Sequence, residues 1–285
     1  MTGLPGAGGG AAHGVCMTEQ SFPATTFPEL ASVERAIGDL DLKEMEASLL
    51  RTAILTAVTR MGHDTALFER AIDLAAYLHR AKHRRQRGPM PLVHYVEHPL
   101  RNTLRAIRYG VTDEHTLFAI VFHDTVEDHV WEFARLATMP GTVIDDESGA
   151  REIAFGYLAH HFGYIVARAV RGMTNDLLPA GLTRAEKNVR YIDHVDQAMR
   201  ESARVVVGKF VDFADNALSL HHSMDVRFVT RQATKYAPLE PLFLERFDDP
   251  AVLELFGHGV IDEMRRALAG SRLREFAEVT AVAGS

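Results

Sequence analysis

A chain of 285 residues with 47% apolar and 24% charged side chains is long enough to bury a core without cross-links. Its formal charge of −7 argues against a protein that wraps nucleic acid, although HRAKHRRQRG at 79–88 is a local basic run suited to a phosphate-rich ligand. Cys16 is the single cysteine, which excludes an intrachain disulfide and favours a reducing, cytoplasmic setting, and no apolar stretch is long enough to span a bilayer.

Residues 1–26 are Gly/Ala-rich, lack a basic and then apolar leader pattern, and read as a disordered tail in which Met17 is an alternative start. Two amphipathic stretches follow, LASVERAIGDL (30–40) and KEMEASLLRTAILTAVTRM (43–61), and together they set residues 27–62 apart as N-terminal helices. Asp64 or Thr65 is placed to cap a helix over TALFERAIDLAAYLHRAKHRR. A Pro-containing loop, 88–99, leads to LRNTLRAIRYG, which Gly110 closes. EHTLFAIVFHDTVED is apolar nearly all round through Phe122 and predicts one buried central helix. Beyond the loop at 139–149, helical periodicity runs through EIAFGYLAHHFGYIVARAVRGM, RAEKNVRYIDHVDQAM and ARVVVGKFVDFADNALSLHHSM. Two or three more helices complete the chain, with 244–285 a C-terminal extension. No convincing set of alternating strands is present, so the fold class is all-α.

The sequence contains HDT twice. His63-Asp64-Thr65 follows Gly62 at the mouth of a helix, where Asp and Thr cap exposed N–H groups, so a capping role explains it. His123-Asp124-Thr125 terminates the apolar run LFAIVF, which carries two ionisable groups to the edge of a core. Glu127 and Asp128 follow at i+4 from His123 and Asp124. Three clustered carboxylates on a buried helix repel unless cations hold them, and a divalent metal resolves that conflict; the bland alternative is a solvated acidic turn. Further ligands must come from other helices. His98, before Pro99, and Asp212, in the apolar KFVDFADNALSL, are the candidates. His98, His123, Asp124 and Asp212 make a mixed N/O set suited to Mn²⁺, Fe²⁺ or Zn²⁺.

At this point the chain resembles the HD hydrolase domain of the RelA/SpoT homologues and the small alarmone hydrolases. The resemblance runs colinearly through the helix ERAIDLAAYLHRAKHRR, then HYVEHPL, HDTVED, HFGYIVARAVRGMTN, ARVVVGKFVDFADNALSL and TKYAPL. It implies an HD-domain helical bundle over residues 63–243 with a metal site between helices. It implies one Mn²⁺ held by His98, His123, Asp124 and Asp212, with Glu127 and Asp128 positioning and activating water. Arg84, Arg85 and Gln86 fall on the basic substrate-binding positions, and Asn216 and Ser219 on positions that contact the nucleotide. The implied activity is removal of the 3′-pyrophosphate from (p)ppGpp, and the short remainder after residue 243 implies a stand-alone hydrolase.

Three departures stand out. Phe213 replaces the family's usual Arg, Asp215 its usual His, and Asn175 a Lys. They leave base specificity open. The alternatives are ppApp, the 2′-phosphate of NADPH, or 3′-pyrophosphorylated tRNA as substrate, in an antitoxin paired with a toxic small alarmone synthetase. A reading from a different class is a nucleotide- or partner-binding module without turnover, against which the complete ligand set argues.

Overall fold

The computed structural model describes residues 30–85, 92–223 and 225–277. The expected tail over 1–26 lies outside the described residues, and of the described residues those up to Asp39 and those from Leu40 onward fall in separate units. In the first, Leu30–Asp39 is helix α1. Among the described residues the second is all-α apart from one short ribbon. It begins with α2 (Ala47–Arg60) and α3 (Thr65–His79). Asp64 is the N-cap of α3, its carboxylate accepting from Leu67 N at 3.0 Å, and His63 Nε2 meets the Thr112 carbonyl at 2.9 Å. The first HDT is therefore a cap, as its position after Gly62 predicts.

The chain departs from the expected helical run after His79. Strands β1 (His83–Arg85) and β2 (Leu92–His94) pair antiparallel, with Arg84 opposite Val93. Tyr95 N donates to the Lys82 carbonyl at 2.9 Å and closes the ribbon. Three residues per strand are too few for alternation to show in sequence. The ribbon delivers the chain into α4 (Glu97–Arg108), where Pro99 is tolerated because the first turn of a helix has no N–H partner to lose.

Helix α5 (Glu114–Phe122) is buried from Thr116 to Phe122, and Phe118 stacks on Phe68 at 3.9 Å between ring centroids. The expected continuous helix through HDTVED is instead broken. His123 and Asp124 form the junction, and α6 (Thr125–Leu136) restarts with Thr125 Oγ1 donating back to the Phe122 carbonyl at 2.7 Å. Then come α7 (Glu147–Phe162), α8 (Tyr164–Met173), α9 (Arg184–Glu201) and α10 (Ala203–Phe213). Helix α10 runs through the core against α4, α5, α8 and α9. Its approach to α8 depends on Gly208, where an added Cβ would stand 2.1 Å from Met173 Sδ.

A π-helical turn, Ala214–Leu218, extends α10. Helices α11 (Val226–Tyr236), α12 (Leu239–Phe247) and α13 (Pro250–Ala269) finish the unit. Phe210, Phe213, Phe243 and Phe247 form a buried aromatic cluster where α10 meets α12, each worth about 1.5–3 kcal/mol on burial. Phe213 is thus a core residue and does not line a nucleotide pocket.

Candidate metal centre

Three elements converge on one point. His98 comes from the first turn of α4, His123 and Asp124 from the α5–α6 junction, and Asp212 from the last turn of α10. His98 Nε2 lies 2.9 Å from Asp212 Oδ1 and 3.7 Å from Asp124 Oδ2. His123 Nε2 lies 3.2 Å from Asp124 Oδ2 and 3.6 Å from Asp212 Oδ1. Neighbouring donors around a divalent ion with bonds of about 2.1 Å stand roughly 3.0–3.6 Å apart, close to these distances, and the donors of His98, His123 and Asp124 all lie within 4.8 Å of one another.

The hydrogen bonds on the far side of each ring carry the argument further. His123 Nδ1 contacts the Ile120 carbonyl at 2.8 Å, and a carbonyl only accepts, so Nδ1 bears the proton. His98 Nδ1 contacts Asp215 Oδ2 at 2.7 Å with the same consequence. In the neutral rings both Nε2 lone pairs then point at carboxylates, and His123 Nε2 is buried with no hydrogen-bond partner. Lone pairs facing anions need a cation between them, either a proton or a metal. Burial pulls the His123 pKa down, but Asp124 and Asp212 outweigh it and leave it well above the usual range. Burial likewise opposes ionisation of Asp124 and Asp212, yet the two imidazoles hold both carboxyls below the usual carboxylate range. The donor set fits a resident divalent ion, and protons compete with that ion for the same lone pairs.

The surrounding shell is built from side chains too. Tyr95 Oη donates to Asp124 Oδ2 at 2.7 Å, and Asn216 Nδ2 to Asp212 Oδ1 at 2.7 Å. Arg84, expected at the substrate, turns its guanidinium onto Asn216 Oδ1 and lies 3.6 Å from Asp215 Oδ2. Ser219 is buried and donates its hydroxyl to the Asp215 carbonyl at 2.7 Å. The side chain of Arg85 and all of Gln86 lie outside the described residues.

Glu127 and Asp128 occupy the first turn of α6 and face different partners. Both Glu127 oxygens accept from Asn175, one from its backbone N–H at 3.0 Å and one from Nδ2 at 2.9 Å. Asp128 pairs with Lys82, whose ammonium also sits 3.8 Å over the Tyr95 ring. Burial first, and then the Asp124 charge, push the Asp128 pKa up. Behind Asp128 a second cluster forms, because His129 leaves helical geometry (φ −135°, ψ 28°) and its Nε2 meets His79 Nδ1 at 2.9 Å. Burial pulls the His79 pKa down to about 3, so that ring is neutral.

A pocket of about 930 Å³ opens beside Glu127 and Asn175. Arg184, Lys187 and Arg190 line it from α9, and Arg231 and Lys235 from α11. These five cations face three acids, Glu127, Asp176 and Asp193, and Tyr191 offers a ring with Lys235 Nζ 4.1 Å from its centroid. Their spacing, i, i+3, i+6 on one helix and i, i+4 on the other, was visible in the sequence, but such runs usually mark a solvated face.

No family model matches the chain. Over 136 residues it is 29% identical to the mouse guanosine-3′,5′-bis(diphosphate) 3′-pyrophosphohydrolase MESH1. The chain resembles the HD-type ppGpp hydrolases. The match spans 47% of this chain and 62% of the mouse protein. A solved structure described as a metazoan ortholog of SpoT that hydrolyses ppGpp aligns with a TM-score of 0.48 at 20% identity, covering 72% of this chain and 96% of that one. Among the described residues, no helix is long and apolar enough to cross a membrane.

Proposed function

We propose that this chain is a metal-dependent phosphohydrolase that removes the 3′-pyrophosphate from ppGpp and pppGpp, giving GDP or GTP and pyrophosphate in the cytoplasm. The observation that carries the reading is the convergence of His98 Nε2, His123 Nε2, Asp124 Oδ2 and Asp212 Oδ1, with both imidazole lone pairs aimed at the carboxylates. The similarity to MESH1 supports the substrate.

These four residues would hold one Mn²⁺ ion, whose chemistry when bound would be to polarise a phosphoryl oxygen and acidify a water. Glu127, fixed at both oxygens by Asn175, orients the attacking water. Asp128, whose pKa is raised by burial and by Asp124, accepts its proton. The water oxygen bonds to the phosphorus attached to O3′, the P–O3′ bond breaks, and the diphosphate leaves as O3′ takes up a proton. Asn216, on the ligand Asp212, and Arg84, on Asn216, supply with Ser219 the wall nearest the nucleoside; a substrate-binding role for Arg85 and Gln86 rests on the resemblance. The five cations beside Glu127 neutralise the phosphates.

Incubating the protein with ppGpp and Mn²⁺, and following GDP and pyrophosphate, tests the proposal. Release that vanishes with chelator and in Asp124→Ala is expected. Arg231→Ala should raise KM about tenfold with a smaller effect on kcat, the pattern of a group that binds substrate and transition state alike. Asn175 stands where the resemblance places a lysine, so parallel reactions with ppApp, NADPH and 3′-pyrophosphorylated tRNA belong in the same assay. Turnover of one of these with ppGpp left intact would replace the substrate and favour the antitoxin role beside a small alarmone synthetase. Intact substrates throughout, with Mn²⁺ bound, would favour a binding module.

A further inference from the structure

Asp215 lies three residues beyond Asp212, in the π-helical turn, and its side chain is 0% exposed. A carboxylate taken that far from water needs its charge met. Its Oδ1 accepts from Lys43 Nζ at 2.7 Å, Arg101 Nε at 3.2 Å and Arg105 Nη2 at 3.3 Å. Its Oδ2 accepts from His98 Nδ1 at 2.7 Å, with Arg101 Nη2 at 3.4 Å and Arg84 Nη1 at 3.6 Å. Burial favours the neutral acid, but Lys43 and Arg101 outweigh it and hold the carboxyl well below the usual range.

The contact with His98 distinguishes this group from an ordinary buried ion pair. An anion on Nδ1 holds the proton there, leaves the Nε2 lone pair facing Asp124 and Asp212, and makes that nitrogen a stronger donor. Rotation of the ring is opposed from the same side, because His98 is 1% exposed and its Nδ1 is held at 2.7 Å by Asp215. We propose that Asp215 is a positioning residue of the metal centre, fixing His98 through Nδ1 while Lys43, Arg84, Arg101 and Arg105 cage its charge. This rests on the metal-centre reading above. It also gives the segment before α2 a purpose, since Lys43 reaches across 172 residues of sequence to the group that orients a metal ligand.

The test is calorimetric titration of the chelator-stripped full chain with Mn²⁺, alongside the visible spectrum of the Co²⁺-loaded protein. Wild type should bind one ion. Asp215→Asn keeps the shape and removes the charge, and it should bind Mn²⁺ about ten- to a hundredfold more weakly with an altered Co²⁺ band. Lys43→Met removes one caging cation and leaves the His98 bond, so it should bind Mn²⁺ close to wild type while melting earlier. Because Asp215→Asn strands its cations, the double variant Asp215→Asn/Lys43→Met is the backup that relieves one of them, and the same loss of affinity is expected. Wild-type affinity in folded Asp215→Asn or in the folded double variant overturns the proposal. So does a loss in Lys43→Met equal to that in Asp215→Asn, which would trace the effect to the cage alone. A wild-type protein that binds no Mn²⁺ would remove the metal centre itself, an outcome separate from either of these.

Discussion

Two clusters of ligand-type side chains draw on the Asp124–Asp128 turn, one through Asp124 and one through Asp128, and both look competent on paper. In the first, His98, His123, Asp124 and Asp212 point four donor atoms at one another. In the second, His79, His129 and Asp128 also bring three donors within reach. They differ in what already satisfies them. His79 Nδ1 and His129 Nε2 share a hydrogen bond, and Asp128 already holds the Lys82 ammonium. In the first cluster the Nδ1 atoms are spent on Ile120 and Asp215, which leaves both Nε2 lone pairs on the carboxylates. Proximity of ligand types is therefore a weak criterion. What matters is whether removing the ion would leave like charges and lone pairs opposed.

The contrast can be broken by one substitution. Lys82→Met removes the cation from Asp128, and the second cluster then becomes a carboxylate flanked by two neutral imidazoles. The expected result is a second, weaker Mn²⁺ site, seen as a rise in stoichiometry from one toward two at about millimolar metal, outside the range of a tight structural site. A stoichiometry that stays at one would mean that the His79–His129 hydrogen bond, and not Lys82, closes that cluster.

A smaller effect sharpens the first side of the comparison. Asp113 caps α5, the helix that ends on His123, through Thr116 N at 2.8 Å and Thr116 Oγ1 at 2.6 Å, and it pairs with Arg204 Nε at 2.8 Å. Asp113→Ala should cost about 1–2 kcal/mol in denaturant titration. Burial raises the Asp113 pKa, but Arg204 and Thr116 outweigh it and leave it below the ordinary value of 3.8. A carboxyl depressed in the folded state stabilises above its unfolded pKa, and that stabilisation is lost as pH falls through the folded value. The difference between wild type and Asp113→Ala should accordingly shrink below about pH 3.8. A gap that persists unchanged in acid would show that the charge on Asp113 contributes nothing.

How much of this was legible in the sequence follows from which forces are local. The apolar run LFAIVF ending in His123-Asp124 marks ionisable groups delivered to a core edge, and burial of polar groups is a signal that one helix carries by itself. The break between α5 and α6 is not visible that way, since Thr125 reads as helical until its hydroxyl is seen turned back to the Phe122 carbonyl. The β1–β2 ribbon escaped because three-residue strands carry no period. Phe213 and Asp215 read as altered pocket residues, yet one packs on Phe210 and Phe243 and the other sits behind His98. Their partners, among them Lys43, Arg101 and Phe243, are brought in by the fold from far along the chain. The cations of α9 and α11 were legible as spacing but not as a pocket, because only packing shows that two such faces confront each other across Glu127.

The most direct test of the central claim is Mn²⁺ stoichiometry, measured by elemental analysis after equilibrium dialysis, in wild type, His123→Ala and His129→Ala. The structure predicts one ion per chain in wild type and in His129→Ala, and none in His123→Ala. An ion lost from His129→Ala and kept in His123→Ala would place the metal in the wrong cluster and contradict the account.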